Sequence, residues 1–352
     1  MLAALAFSCQ KEDLACTDCS ESNIAISARN HNSEDATDLY ISTNTGGTIG
    51  IVDVTDINNV GERFIDVVNT DGDGIFYDQP SNVMYQVDRS NNRVNAYAAT
   101  TTLPNGAAVS PSMMSTSDFN NGREMAVKGN FIVVAEDAAP GNGNMNRFYV
   151  YQNTGSSISL VKTFNATINL WGLTFVGNNL YAVEDNSSNL AIYNNFLSNS
   201  DGSTLTPSVK LTISGIVRTH GIDYNAENDV LTLTDVGDAG SSTDGAIHVI
   251  TNFTSSKLGF AMRTARYSGG AFTATIPMSQ QVRLSGSNTF LGNPVDVDYN
   301  YETGEIFVAE RANGGGRVLA FNFPSGSGNP SPIYNQTFAG ASAVHLNVYN
   351  VY

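Results

Sequence analysis

The sequence predicts an all-β fold, a six-bladed β-propeller of four-stranded blades whose ring is closed by the C-terminal strand joining the N-terminal blade. Three observations carry this. A short β-rich run recurs six times, the residues between the runs supply the turns that hairpins need, and the tail resembles the start of a blade. The recurring runs are Leu39-Tyr-Ile-Ser-Thr43, Met84-Tyr-Gln-Val-Asp88, Ile132-Val-Val-Ala-Glu136, Leu180-Tyr-Ala-Val-Glu184, Leu231-Thr-Leu-Thr-Asp235 and Ile306-Phe-Val-Ala-Glu310. Their ends are spaced by 45, 48, 48, 51 and 75 residues, and the first four intervals match one four-stranded blade.

Each run sits in the same surroundings. A short strand and turn precede it, as in Gly172-Leu-Thr-Phe-Val-Gly-Asn-Asn179, and a polar turn with another strand follows, as in Asn189-Leu-Ala-Ile-Tyr193. Fourth strands are predicted at about 157–164, 206–213 and 331–338. The turns are rich in Asn, Asp and Gly, which tolerate the positive φ angles of tight hairpins. Residues 39–68 supply only three strands before the next blade begins near Gly74. The tail Ser342-Ala-Val-His-Leu-Asn347 reads like the inner strand Thr219-His-Gly-Ile-Asp-Tyr-Asn225, so it is expected to complete blade one. The long last interval is expected to hold an insertion at about 253–290, between blades five and six.

Composition agrees with a strand-and-turn protein: 14% of the 352 residues are charged, 41% are hydrophobic, and there are 32 Gly. The net charge of −16 argues against a nucleic-acid partner, which requires clustered Lys and Arg to displace counterions. Residues 1–8 read as the remnant of a signal peptide ending before Cys9, too short to span a bilayer. Ala6-Phe7-Ser8-Cys9 resembles a bacterial lipobox, and Cys9-Gln-Lys-Glu-Asp13 is similar to the surface-export signal of Bacteroidetes lipoproteins. That resemblance implies lipidation at Cys9, a polar tether over 9–36, and a propeller over 37–352 displayed from the bacterial outer membrane. The other cysteines, Cys16 and Cys19, lie in the tether and are read as an incidental pair or a local disulfide.

The repeat unit resembles the NHL repeat of six-bladed propellers, a group that includes the gluconolactonase-like lactonases. In such rings ligands bind where the inner strands converge, which points to Arg123, Glu124, Trp171, His220, Asn293 and Asp296. The resemblance implies a calcium ion held by oxygen ligands there. Glu124, Asn293 and Asp296 have suitable oxygens, but Trp171 and His220 stand where two blades of the family offer oxygen ligands. A second candidate calcium site, structural in kind, is the Asn69-Thr-Asp71-Gly-Asp73 loop, with oxygens at alternate positions; a plain Asp-Gly turn is the competing reading. The acids ending the repeated runs are expected to accept hydrogen bonds from turn amides. Trp171, with Tyr181 and Tyr193, is either a stacking surface or a blade-interface filler. His220 and His345 are expected on adjacent inner strands. No nucleophile-elbow, zinc-protease or nucleotide motif occurs. The leading expectation is a non-enzymatic, lipid-anchored protein that binds a small molecule, glycan or protein. The alternative is a calcium-dependent lactonase-like hydrolase.

Overall fold

The computed structural model describes residues 36–238 and 240–348; Cys9, Cys16, Cys19 and the tether lie outside them. The described residues form six sheets, each built on four antiparallel strands, arranged as the blades of a propeller. The six repeated runs are the second strands of the blades. Thr37–Thr43, Val83–Asp88 and Val230–Asp235 are buried at every position, because a central strand packs against both neighbouring blades and has no solvent face. This explains their continuous apolar character where a one-sided sheet would alternate. Towards the rim the alternation returns, as in Ile158–Ala166.

Six apolar clusters hold the ring, one at each junction between adjacent blades. No blade could bury its faces alone. The ring closes as expected: Ala341–Val348 is the inner strand of blade one and pairs antiparallel with Thr37–Thr43, Leu39 opposite Leu346 and Ile41 opposite Val344.

The repeated acids cap turns. Asp235 accepts hydrogen bonds from the backbone N–H groups of Val217, Arg218 and Gly237 at 3.0 Å each. Glu310 accepts from four, those of Gly292, Asn293, Ala312 and Asn313. Similar carboxylates act between blades. Inner strands of different blades are not laddered to one another, so Asp223 accepts from the Tyr299 N–H, Asp296 from Val344, and Asp298 from Leu346.

The insertion lies elsewhere than expected. It interrupts blade five between its third strand, Ala246–Thr251, and its fourth, Val282–Ser285, and does not separate blades five and six. Its strand Ala271–Ile276 pairs in parallel with Val209–Ile213, the outer strand of blade four. Shorter versions of the same clip occur where Ala107–Val109 pairs with blade one and Thr204–Leu205 with blade three. In each case the connection from third to fourth strand reaches back and covers the open edge of the preceding blade, where unpaired N–H and C=O groups would otherwise remain.

Candidate functional site

Every inner strand begins with an irregularity. In blade four Leu170 pairs with Glu184 and Leu173 with Ala182, so Trp171 and Gly172 share the single opposing residue Val183. The ladders of the other five blades slip at the same place. Such bulges re-aim side chains. Here the bulge positions Ser342, Asp73, Arg123, Trp171, His220 and Val295 (blades one to six in turn) all line one cavity of about 220 Å³ at the channel mouth. A second ring surrounds it, formed by the residue that follows each second strand: Asn44, Arg89, Asp137, Asp185, Val236 and Arg311.

On one side the mouth is locked by contacts between these rings. Trp171 and His220 stack with ring centroids 3.7 Å apart and planes 3° apart, and the Arg123 guanidinium carbon lies 3.9 Å from the Trp171 centroid. Both partners cannot fit on one face at those distances, so the indole is sandwiched between a cation and an imidazole. Gly172 makes the stack possible, since a Cβ there would come within 2.2 Å of the His220 carbonyl oxygen. Asp185 receives Arg218 Nε at 2.7 Å and its terminal nitrogen at 3.2 Å, and lies 3.0 Å from His220 Nε2. Burial alone would raise the Asp185 pKa, but these hydrogen bonds outweigh it and hold the carboxyl well below the usual range. Burial lowers His220 to about 4 despite Asp185, so the ring is neutral at pH 7, with Nε2–H donating to Asp185. Its Nδ1 has no partner. Asp73 lies 3.6 Å from Arg89 and 3.8 Å from Arg123, which also meets Asp137 at 3.3 Å. Burial raises Asp73 to about 6 against the pull of both arginines.

The opposite side, from blades six and one, is unsaturated. Arg311 reaches the mouth, half-buried, with no carboxylate partner among the described residues. The side-chain oxygens of Asn44 and Asn293 are buried without a donor.

Of the residues expected at the site, Arg123, Trp171, His220 and Asn293 come together at the mouth. Glu124 and Asp296 do not: they line a second cavity of about 240 Å³, further along the inner strands. The expected calcium ligands are thus divided between two cavities, and among the described residues no three His, Cys, Asp or Glu side chains converge as a metal site. The donors do not fit a catalytic calcium. The Asn69 loop fits no better. The Asn69 oxygen accepts the Tyr97 hydroxyl at 2.7 Å and its amide donates to Gln86 at 2.8 Å, while Asp71 and Asp73 lie against Arg89. Trp171 is no open stacking surface, because both its faces are covered and Tyr181 and Tyr193 are buried in blade interfaces. His220 and His345 are on strands separated by that of blade six. Arg218, Asp185 and Arg311 were not anticipated, although a signal existed: two of them directly follow a repeated acid, in Glu184-Asp185 and Glu310-Arg311.

The channel carboxylates give stability a pH dependence of calculable sign. Burial pushes Asp298 up to about 7 against two backbone N–H groups, and burial also raises Glu124 and Asp296 well above the ordinary range. A carboxyl whose folded pKa exceeds its unfolded one holds a proton that the unfolded chain has released, so stability falls as pH rises through that window. Over the lower part of the range from about pH 6.5 to pH 8, His220 and His345 act the other way, since the unfolded imidazole, at about 6.5, is still losing its proton there, but the raised carboxyls outnumber them. Stability should therefore drop over that range by about 1 kcal/mol or more, measured by urea unfolding. Asp298→Asn should flatten the slope; a slope of the opposite sign contradicts the assignment.

No family model matches the chain, and no curated protein matches it in sequence. Solved structures do match in fold. The structure of a nidogen/laminin complex contains a chain with TM-score 0.59 and 12% identity, covering 90% of this chain and 100% of that one. The periplasmic gluconolactonase of Pseudomonas aeruginosa gives TM-score 0.54 and 10% identity, over 88% of this chain and 99% of that one. A protein provisionally described as a 6-phosphogluconolactonase from Bacteroides fragilis gives 0.51 and 12%, over 88% and 83%. At these identities the likeness concerns the fold: the chain is a six-bladed β-propeller whose structural neighbours include gluconolactonase-like and 6-phosphogluconolactonase-like propellers.

Proposed function

We propose that this protein is a lipid-anchored, surface-displayed binding protein that captures a small hydroxylated carboxylate, of the sugar-acid class, at the channel mouth. The observation that carries the ligand class is the unsaturated sector. The Arg311 guanidinium, which meets no carboxylate among the described residues, offers a fork for a carboxylate, and the oxygens of Asn44 and Asn293, without a donor among those residues, offer acceptors for hydroxyls. The other arginines of the mouth, Arg89, Arg123 and Arg218, are already matched to aspartates. The anchor rests on Cys9 and the residues after it. It requires that Cys9→Ala protein leave the membrane fraction, and retention there would refute it.

Titration calorimetry with D-gluconate, and with D-glucitol as the uncharged analogue, tests the site. Gluconate should bind and glucitol should not, and Arg311→Ala should weaken gluconate by roughly tenfold to a hundredfold, the worth of a charged hydrogen-bonded contact. Equal affinity for both probes, or an unaffected Arg311→Ala, disproves the reading. A second reading, lactone hydrolysis, is favoured by one feature. His220 is neutral, oriented by Asp185 and without a partner at Nδ1 among the described residues, which is the geometry of a general base, though a weakly basic one at about 4. Its test is turnover of glucono-δ-lactone above the spontaneous rate, abolished in His220→Ala. If turnover survives that substitution, His220 is not the base.

A further inference from the structure

The second cavity has a chemistry of its own. It is lined by four carboxylates, Glu124, Asp223, Asp296 and Asp298, from the inner strands of blades three, five and six. Its walls are otherwise apolar and aromatic, with Phe76 and Phe175 among them and no Lys or Arg. Lys128, on the same strand as Glu124, lies 5.8 Å from the Phe175 ring centroid and donates to the Gly177 carbonyl outside the lining. His345 also borders the cavity, its Nδ1 3.6 Å from Asp298 and its ring 4.6 Å from that of Phe76. Burial keeps this imidazole neutral at pH 7, so it does not balance the acids.

Three of the four carboxylates have one oxygen engaged by a backbone N–H of the next blade, through Asp223, Asp296 and Asp298. Glu124 is different. It is 6% exposed, it faces the cavity, and its Oε1 has no partner. A buried carboxylate oxygen without a donor costs free energy, and three further acids beside it increase that cost. A cation in the cavity removes it.

The kind of cation follows from the walls. A metal ion needs several oxygens brought together, and no three acids here converge in that way. Glu124 stands on the strand between those that carry Phe76 and Phe175, and carboxylates set among aromatic and apolar side chains suit an ammonium group on an aliphatic stem: the acids accept its N–H groups, the rings attract its charge and the apolar wall covers its methylenes. We infer that the second half of the channel is a binding site for a primary organic amine, with Glu124 its main acceptor and Phe76 and Phe175 flanking the stem. Its lining shares no residue with that of the mouth.

The probe is 1,5-diaminopentane, titrated calorimetrically at about pH 8, where the carboxylates ionise most readily. Its neutral counterpart is 1,5-pentanediol, and calcium chloride and Nα-acetyl-lysine amide are run in parallel. The diamine should bind at millimolar or lower concentration and the diol should not. Glu124→Gln should weaken the diamine at least roughly tenfold, the loss expected for a charge-assisted hydrogen bond. The same variant should unfold at an equal or higher temperature, because it removes a carboxyl whose ionised form is costly to bury, so weakened binding cannot be blamed on misfolding. Asp298→Asn, on another blade, should weaken the diamine as well. Binding of the lysine derivative would widen the ligand class to peptide side chains, and its exclusion would confine it to free amines; either result upholds ammonium recognition. The inference fails if the diamine does not bind, if the diol binds equally well, if calcium binds and the diamine does not, or if both variants bind the diamine as the parent does.

Discussion

Deleting residues 341–352 should leave a chain that fails to fold as a monomer. The inner strand of blade one, Ala341–Val348, is the only strand in that blade supplied from the far end of the sequence. Removing it breaks a ladder running from Thr37 to Thr43. It strips Ala341, Val344 and Leu346 from the junction of blades six and one, and Ala343 from that of blades one and two. The lost backbone hydrogen bonds are worth about 1 kcal/mol each, and the buried Val and Leu side chains about 1.5–3 kcal/mol each. The total, on the order of 10 kcal/mol, rivals the whole stability of a typical domain. The newly exposed edge of Thr37–Thr43 also invites intermolecular pairing. Soluble yield and size-exclusion chromatography read the outcome. A monomeric product with the parent's melting temperature would show that closure is not needed.

Asp185→Ala should cost about 3 kcal/mol in urea unfolding, towards the low end for breaking a buried ion pair because Arg218 is 22% exposed. The carboxylate is 3% exposed and serves three residues at once, Arg218, His220 and Asn186. Without it Arg218 loses a two-pronged acceptor, and the His220 Nε2–H is left buried and unpaired against Trp171. Asp185→Asn keeps an acceptor and should cost less. The pH dependence has a definite sign. The depressed pKa of Asp185 contributes stability that is complete above the ordinary carboxylate range and is lost as pH falls through it. His220, lowered to about 4, adds a loss that begins below about pH 6.5, where the unfolded imidazole takes up a proton. A cost under about 1 kcal/mol would mean that the pair lies outside the cooperative structure.

The architecture was legible because it is local and repeated. A run buried on both faces and a turn rich in Asn and Gly recur in each blade, five of the six runs end in an acid, the spacing is nearly constant up to the insertion, and a strand missing at one end was matched by a spare at the other. Arg123, Trp171 and His220 were found for the same reason, since each stands near the start of an inner strand. Glu124 was misplaced although it is adjacent to Arg123. A period-two pattern cannot show that the ladder slips by one residue there, and the slip decides which neighbour faces the mouth and which the second cavity.

What the sequence by itself determined is therefore the ring, its closure and the strand ends from which side chains reach the channel mouth. The tertiary structure alone decided how charges pair across blades. Asp185 meets Arg218 and His220 because blade four abuts blade five, 33 and 35 residues along the chain. Among the described residues Arg311 meets no carboxylate, because the bulge residues that share its cavity on that side are Val295 and Ser342, which carry no charge. The insertion likewise reads as extra length, and only the open edge of blade four gives it a place to pair. Repetition writes a blade into its own residues, whereas a site between blades depends on side chains that the chain keeps a full repeat apart.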